Sequence, residues 1–172
     1  CYDLWKTLFI GDEIIELPNA EMDTYFRKSI YGGRCYPNKK SFISKCYKDI
    51  IDGKINFEDV KDYLIDGDIV SLYPYVMTFE YPVGHHIKTK EYVKNKMGIY
   101  RCEFITNKKL LVAPIPRRDK KGLLWDLEDG EGHYTSVDIE RAESVGYKFK
   151  IIDGVYWEET APIYKSYMET FY

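Results

Sequence analysis

Between Ala20 and Ile30, apolar residues recur at Met22, Phe26 and Ile30, a spacing of four that predicts a short helix with one buried face. The run stops at Tyr31-Gly32-Gly33-Arg34, where paired glycines interrupt any regular element. Ser41 is placed to cap a second helix reaching about Ile51 and halted near Gly53, and Asn56 to cap a third over Phe57–Tyr63. The stretch Asp66-Gly67-Asp68-Ile69-Val70-Ser71-Leu72-Tyr73-Pro74 reads as an extended run closed by proline. Pro74 then permits a helical turn carrying Tyr75, Val76 and Phe79. Beyond it, Gly98–Ile105 and Leu110–Ile115 are predicted as paired strands about the turn Asn107-Lys108-Lys109, with a further strand over Gly122–Leu127. Thr135-Ser136-Val137-Asp138 fits a capping box for a helix reaching about Val145, with Gly146 as its stop. Lys148–Tyr156 reads as a strand, and Pro162 opens a last helix toward Tyr172. The mixture predicts an α+β fold with antiparallel strands and peripheral helices.

Composition sharpens this picture. The 172 residues are 45% apolar and 31% charged, a globular balance. No run approaches the ~20 apolar residues of a membrane span, no leader pattern opens the chain, and no membrane role is expected. Cys1 in place of an initiating Met reads as the start of a fragment of a longer product. The four cysteines (Cys1, Cys35, Cys46, Cys102) form no C-x-x-C pair, so free thiols in a reducing, intracellular compartment are expected. His85-His86 follows Gly84 and reads as a turn rather than a metal site. Most of the 17 tyrosines fall where they pack a ring inward and keep a polar tip.

The net charge of -3 conceals blocks. Residues 27–48 hold seven basic and no acidic side chains; residues 49–83 hold two basic and eight acidic. Residues 84–121 hold eleven basic and three acidic, and 122–172 four basic and eleven acidic. Such alternation predicts separate surfaces for separate partners. In the first basic block, Arg27, Lys28, Arg34, Lys39, Lys40, Lys45 and Lys48 surround Gly32 and Gly33. Glycines let backbone approach phosphates, so this block reads either as a grip on a nucleic-acid strand or as a solvated charged face. In the second, Arg117 and Arg118 follow the stiff Pro114-Ile115-Pro116, suited to a phosphate-backbone contact or to an ordinary basic hairpin.

A carboxylate at the end of an apolar run, followed by a tight polar turn, suits a divalent ion, because backbone carbonyls join it there. Asp68 is that carboxylate, and alone it is half a site.

Asp68-Ile69-Val70-Ser71-Leu72-Tyr73-Pro74 resembles the first palm motif, D-x-x-S-L-Y-P, of the family B DNA polymerases. Ile30-Tyr31-Gly32-Gly33-Arg34 resembles the Y-x-G-G segment that this family sets between its exonuclease and polymerase domains, with Ile30 in the tyrosine's place. The spacing is similar to that of the protein-primed viral and linear-plasmid branch, and the resemblance runs from about Phe26 to the end. It implies a partial polymerase palm carrying an inserted hairpin-rich subdomain. The implied segments are 1–53 (linker region with the glycine motif), 54–84 (palm), 85–134 (basic insertion) and 135–172 (returning palm).

The implied roles follow the motif. Asp68 is a catalytic, metal-binding aspartate, and the Ile69 carbonyl touches the second of two Mg²⁺ ions. Ser71 and Leu72 approach the triphosphate, although Ser71 also reads as a turn-stabilising hydroxyl. Tyr73 lies under the deoxyribose as a gate against ribonucleotides, or else packs in a core. Gly32, Gly33, Arg34, Lys39, Lys40, Arg117 and Arg118 are the implied DNA contacts. The implied partners are template and primer DNA, a deoxynucleoside triphosphate, a priming terminal protein and the remainder of the polymerase chain, in a viral or mobile-element protein. The family's Lys-bearing helix and D-T-D motif are absent, and Asp12-Glu13 makes no convincing exonuclease site. The 172 residues alone are therefore expected not to polymerise. Two other readings stay open: a non-catalytic polymerase-derived module that binds nucleic acid or protein, and an unrelated α+β domain.

Overall fold

Helix α1 (Ala20–Arg27) begins where the Asn19 side chain accepts a hydrogen bond from the Met22 amide at 2.9 Å. It ends where the Ser29 hydroxyl and amide both bond the Phe26 carbonyl. Met22 is buried as expected; Ile30, beyond the last turn, is 65% exposed and leaves the predicted apolar face. The computed structural model describes residues 5–6, 8–9, 17–33, 43–62, 68–120 and 122–171. They fall into two units, Cys1–Gly33 with Tyr73–Tyr172, and Arg34–Leu72.

The second unit carries α2 (Tyr47–Ile51) and a 3-10 turn (Phe57–Asp59), both shorter than the sequence predicts. Ser41 and Tyr63, the expected outer bounds, lie outside the described residues. Asp62 ties the start of α2: its carboxylate accepts from the Ser44 hydroxyl at 2.7 Å and the Lys45 amide at 2.6 Å. Those bonds, the Lys45 amide first, hold its carboxyl below the usual range.

The first unit continues with α3 (Leu72–Met77, its first residue still in the second unit), β1 (Tyr81–Val83), β2 (Ile87–Thr89), β3 (Gly98–Ile105), β4 (Arg117–Asp119) and β5 (Gly122–Leu124). After these come β6 (Gly130–Thr135), α4 (Ser136–Ser144), β7 (Lys148–Tyr156), β8 (Glu159–Ala161) and α5 (Lys165–Phe171). An antiparallel sheet of order β2-β7-β3-β6 is its centre, with two-stranded pairs β1-β8 and β4-β5. The expected pairing of 98–105 with 110–115 does not form. Pro114 and Pro116 remove ladder donors, and residues 110–116 run as bends that send Ala113 and Ile115 inward. The predicted strand over 122–127 is cut to β5, and the last helix starts three residues after Pro162.

One sheet face supplies the core: Tyr100, Cys102, Phe104 and Tyr134 pack against Ile139, Ala142 and Tyr147 of α4 and its exit. The predicted capping box holds α4, with Thr135 and Asp138 bonding reciprocally, and Gly146 closes it at φ +93°. Tyr100 lies across Gly154 on the neighbouring strand, a packing that a side chain there would block. Burial pushes the Cys102 thiol up to about 12. Among the described residues no helix is long and apolar enough to cross a membrane.

Candidate active-site segment and nucleic-acid contacts

The described part of the predicted extended run, Asp68–Ser71, forms no strand. Ser71 takes φ +55°, and the Leu72 amide bonds back to the Ile69 carbonyl at 3.2 Å, turning the chain into α3. Pro74 therefore sits inside the first helical turn, where its missing N–H has no partner to lose. A left-handed serine is an uncommon conformation with a cost of order 1 kcal/mol. It bends the motif so that its side chains stay outside.

Asp68 is exposed and makes no hydrogen bond or ion pair among the described residues. Ile69 is 66% and Tyr73 81% exposed, so Tyr73 packs in no core of its unit. The boundary between units falls between Leu72 and Tyr73, placing Asp68, Ile69, Ser71 and Leu72 in one and Tyr73 in the other. For a magnesium ion the donors present fit in kind: an exposed carboxylate and a carbonyl with a lone pair to spare, both hard oxygens. Two such oxygens would leave an octahedral shell incomplete; among the described residues no three His, Cys, Asp or Glu side chains gather as a metal cage.

Of the expected DNA contacts, Arg34, Lys39 and Lys40 lie outside the described residues. Gly32 and Gly33 are exposed, and among the described residues nothing lies within 4 Å of where a side chain would begin. The two arginines of β4 both have partners within the chain, Arg117 half-buried and Arg118 exposed. Arg117 binds Asp126 in a two-pronged pair at 2.7 and 2.6 Å, with its side chain only 20% exposed. Arg118 turns to the opposite side of the strand and donates to the carbonyls of Ile30 at 2.7 Å and Lys28 at 3.3 Å. Its guanidinium lies 4.6 Å from the Tyr31 ring centre. Tyr31 in turn stacks on buried Tyr134, ring centres 5.4 Å apart, so the aromatic of the glycine segment packs while Ile30 faces solvent.

The charge blocks 84–121 and 122–172 do not face separate surfaces either. Antiparallel pairing joins them, as in Arg101–Glu131 at 2.6 Å and Lys96–Glu158 at 2.7 Å. A concavity of about 910 Å³ opens between α1 and the polar face of the sheet. The Tyr25 hydroxyl, donating to Asp153 at 2.8 Å and accepting from the Arg101 amide at 3.2 Å, pins the helix beside it. His133 lines it, with a pKa lowered by burial first and then by the Lys28 charge. At its edge stand Lys28, Lys88 and Lys90, whose ammonium groups pair with no described residue. The sequence ranks arginine above lysine as a phosphate ligand, and nothing in it signals that Arg117 and Arg118 are occupied.

The family profile described as DNA polymerase type B, organellar and viral, matches residues 2–172. No curated protein matches. Among solved structures, similarity extends to Phi29 DNA polymerase. Its complex with primer-template DNA is 23% identical, with a TM-score of 0.44 over 60% of this chain and 20% of the other. Its complex with primer-template DNA and incoming nucleotide is 22% identical, with a TM-score of 0.46 over 60% and 21%. The chain thus spans about a fifth of that polymerase. A profile match over nearly the whole length, on a chain that exposes Asp68-Ile69-Val70-Ser71-Leu72-Tyr73 at its surface, places this protein in the type B DNA polymerases of organelles and viruses.

Proposed function

We propose that this chain supplies a DNA-directed DNA polymerase with its first palm aspartate and its sugar-facing tyrosine. The observation that carries the reading is the exposed Asp68 carboxylate, which pairs with no described residue, at the head of the motif that continues to the exposed Tyr73. On this reading Asp68 and the Ile69 carbonyl hold Mg²⁺, with further carboxylates and the nucleotide's phosphates completing the shell. A metal held there would supply charge neutralisation for the nucleotide's phosphates. The Ser71 and Leu72 backbone borders the triphosphate, and the Tyr73 ring closes the space a 2′-hydroxyl would need. Gly32 and Gly33, with Arg34, Lys39 and Lys40 after them, run along template phosphates. With one metal-binding aspartate among them, the 172 residues alone do not polymerise. The resemblance to the protein-primed branch supports a terminal protein as a further partner.

The test is Mg²⁺-dependent nucleotide incorporation on a primer-template by the full gene product. Asp68→Ala lowers it by more than about 100-fold. Incorporation equal to the unmodified enzyme's removes Asp68 from the metal site.

A further inference from the structure

Arg118 reads in sequence as a phosphate ligand, but its surroundings give it another task. Its two terminal nitrogens reach the carbonyls of Lys28 and Ile30, and its plane covers Tyr31. Tyr134 backs the same assembly twice: its ring stacks on Tyr31, and its hydroxyl donates to the Pro116 carbonyl at 2.7 Å, just before β4. Arg117, locked to Asp126, braces the hairpin from the other side. Residues 28–31, which lead directly into Gly32 and Gly33, are thus held between a rigid sheet and a braced hairpin. We propose that Arg118 is a positioning residue that fixes the glycine segment's backbone, and that it takes no DNA phosphate itself. A planar fork meets two carbonyls and a ring at once; a lysine ammonium cannot.

The proposal rests on the reading that Gly32 and Gly33 follow template phosphates, and the experiment keeps the two apart. Hydrogen exchange is measured in the full gene product, at the Ser29 and Ile30 amides, which bond Phe26 and Arg27. Arg118→Ala speeds both by about tenfold while the Cys102 amide in β3 is unchanged, and Arg118→Lys behaves like Arg118→Ala. Binding to a primer-template duplex weakens several-fold in both variants, with the slope of log K against log salt unaltered. A slope smaller by about 1 in Arg118→Ala, restored by Arg118→Lys, makes Arg118 a phosphate ligand and overturns the proposal. Unchanged exchange at Ser29 and Ile30 overturns it as well. Gly32→Ala with Gly33→Ala, both sterically open, tests the underlying reading. Unaltered DNA affinity there removes the glycine grip, while the exchange rates still decide what Arg118 does.

Discussion

Replacing Gly154 by alanine tests the packing on which the central sheet depends. A methyl group built there comes within 3.0 Å of the Ile99 carbonyl oxygen and 3.1 Å of Tyr100 Cε1, and closer still to Tyr100 Cδ1. The approach to Cδ1 is one that real methyl groups essentially never show, the other two are tighter than most, and neither neighbour is a flexible side-chain end. Ile99 contributes backbone, and Tyr100 is fully buried with its hydroxyl accepting from the Val93 amide at 3.3 Å. Relief requires the ring to leave its rotamer or β3 and β7 to separate, an overpacking penalty of about 1–3 kcal/mol. For a chain of this length that corresponds to a fall in melting temperature of roughly 3–10 °C. Gly32→Ala, where no described residue lies within 4 Å, is the control and stays within about 0.5 kcal/mol. Thermal unfolding of the two variants beside the unmodified protein measures the difference. In a Tyr100→Ala background the penalty of Gly154→Ala shrinks, because the obstructing ring is gone. Equal melting temperatures for Gly154→Ala and Gly32→Ala, or a penalty undiminished by removal of the ring, refute the reasoning.

Two further outcomes follow from exposure and burial. Tyr73→Val raises ribonucleotide incorporation by the full gene product, and because Tyr73 is 81% exposed its melting temperature moves by less than about 2 °C; unchanged sugar discrimination removes the gate role. Stability falls as pH rises from about 9 toward 12. Burial holds the Cys102 thiol up at about 12 and pushes the Tyr134 and Tyr25 phenols above their ordinary 10.0, so above pH 9 the unfolded chain sheds protons that the folded chain keeps. Below pH 9 this contribution is fully present. Urea midpoints measured between pH 8 and 10.5 report it, and a flat profile contradicts the buried-thiol account.

Legibility in the sequence tracked the range of the interactions concerned. β7 and β3 carry alternation and β-branched residues that a local window detects, and both were predicted at their observed bounds. The capping box of α4 is equally local, since Thr135 and Asp138 are three residues apart. The failures needed distant partners. Residues 110–115 look like a strand until Pro114 and Pro116 meet a sheet whose neighbouring places go to β6 and β7. Ser71 at positive φ has no sequence signal, because serine seldom adopts that conformation without a reason outside its own neighbourhood. The Asp68–Pro74 motif was legible as a string, yet its shape, a bend into a helix rather than the end of a strand, was not. Arg118 shows the same limit: nothing near it in sequence announces Lys28, Ile30 and Tyr31.

Charge depends on distant partners in the same way. Read in order, a basic stretch at 84–121 and an acidic stretch at 122–172 look like two surfaces. Folded, Arg101 with Glu131, Arg117 with Asp126, Lys96 with Glu158 and Lys108 with Glu128 join one stretch to the other inside a single unit. These pairs differ in what a phosphate could take from them. An exposed pair such as Lys108–Glu128 is worth about 0–1 kcal/mol, so an arriving phosphate competes for the lysine on nearly equal terms. Arg117, two-pronged and 20% exposed, offers no such opening, since separating it strands Asp126 beside β4. Lys28, Lys88 and Lys90 have no ion pair to break among the described residues, and they line one concavity whose carboxylates Glu131 and Asp153 are already engaged by Arg101. For a polyanion that binds by releasing counterions, the order of preference is therefore these three lysines, then the exposed pairs, and Arg117 last.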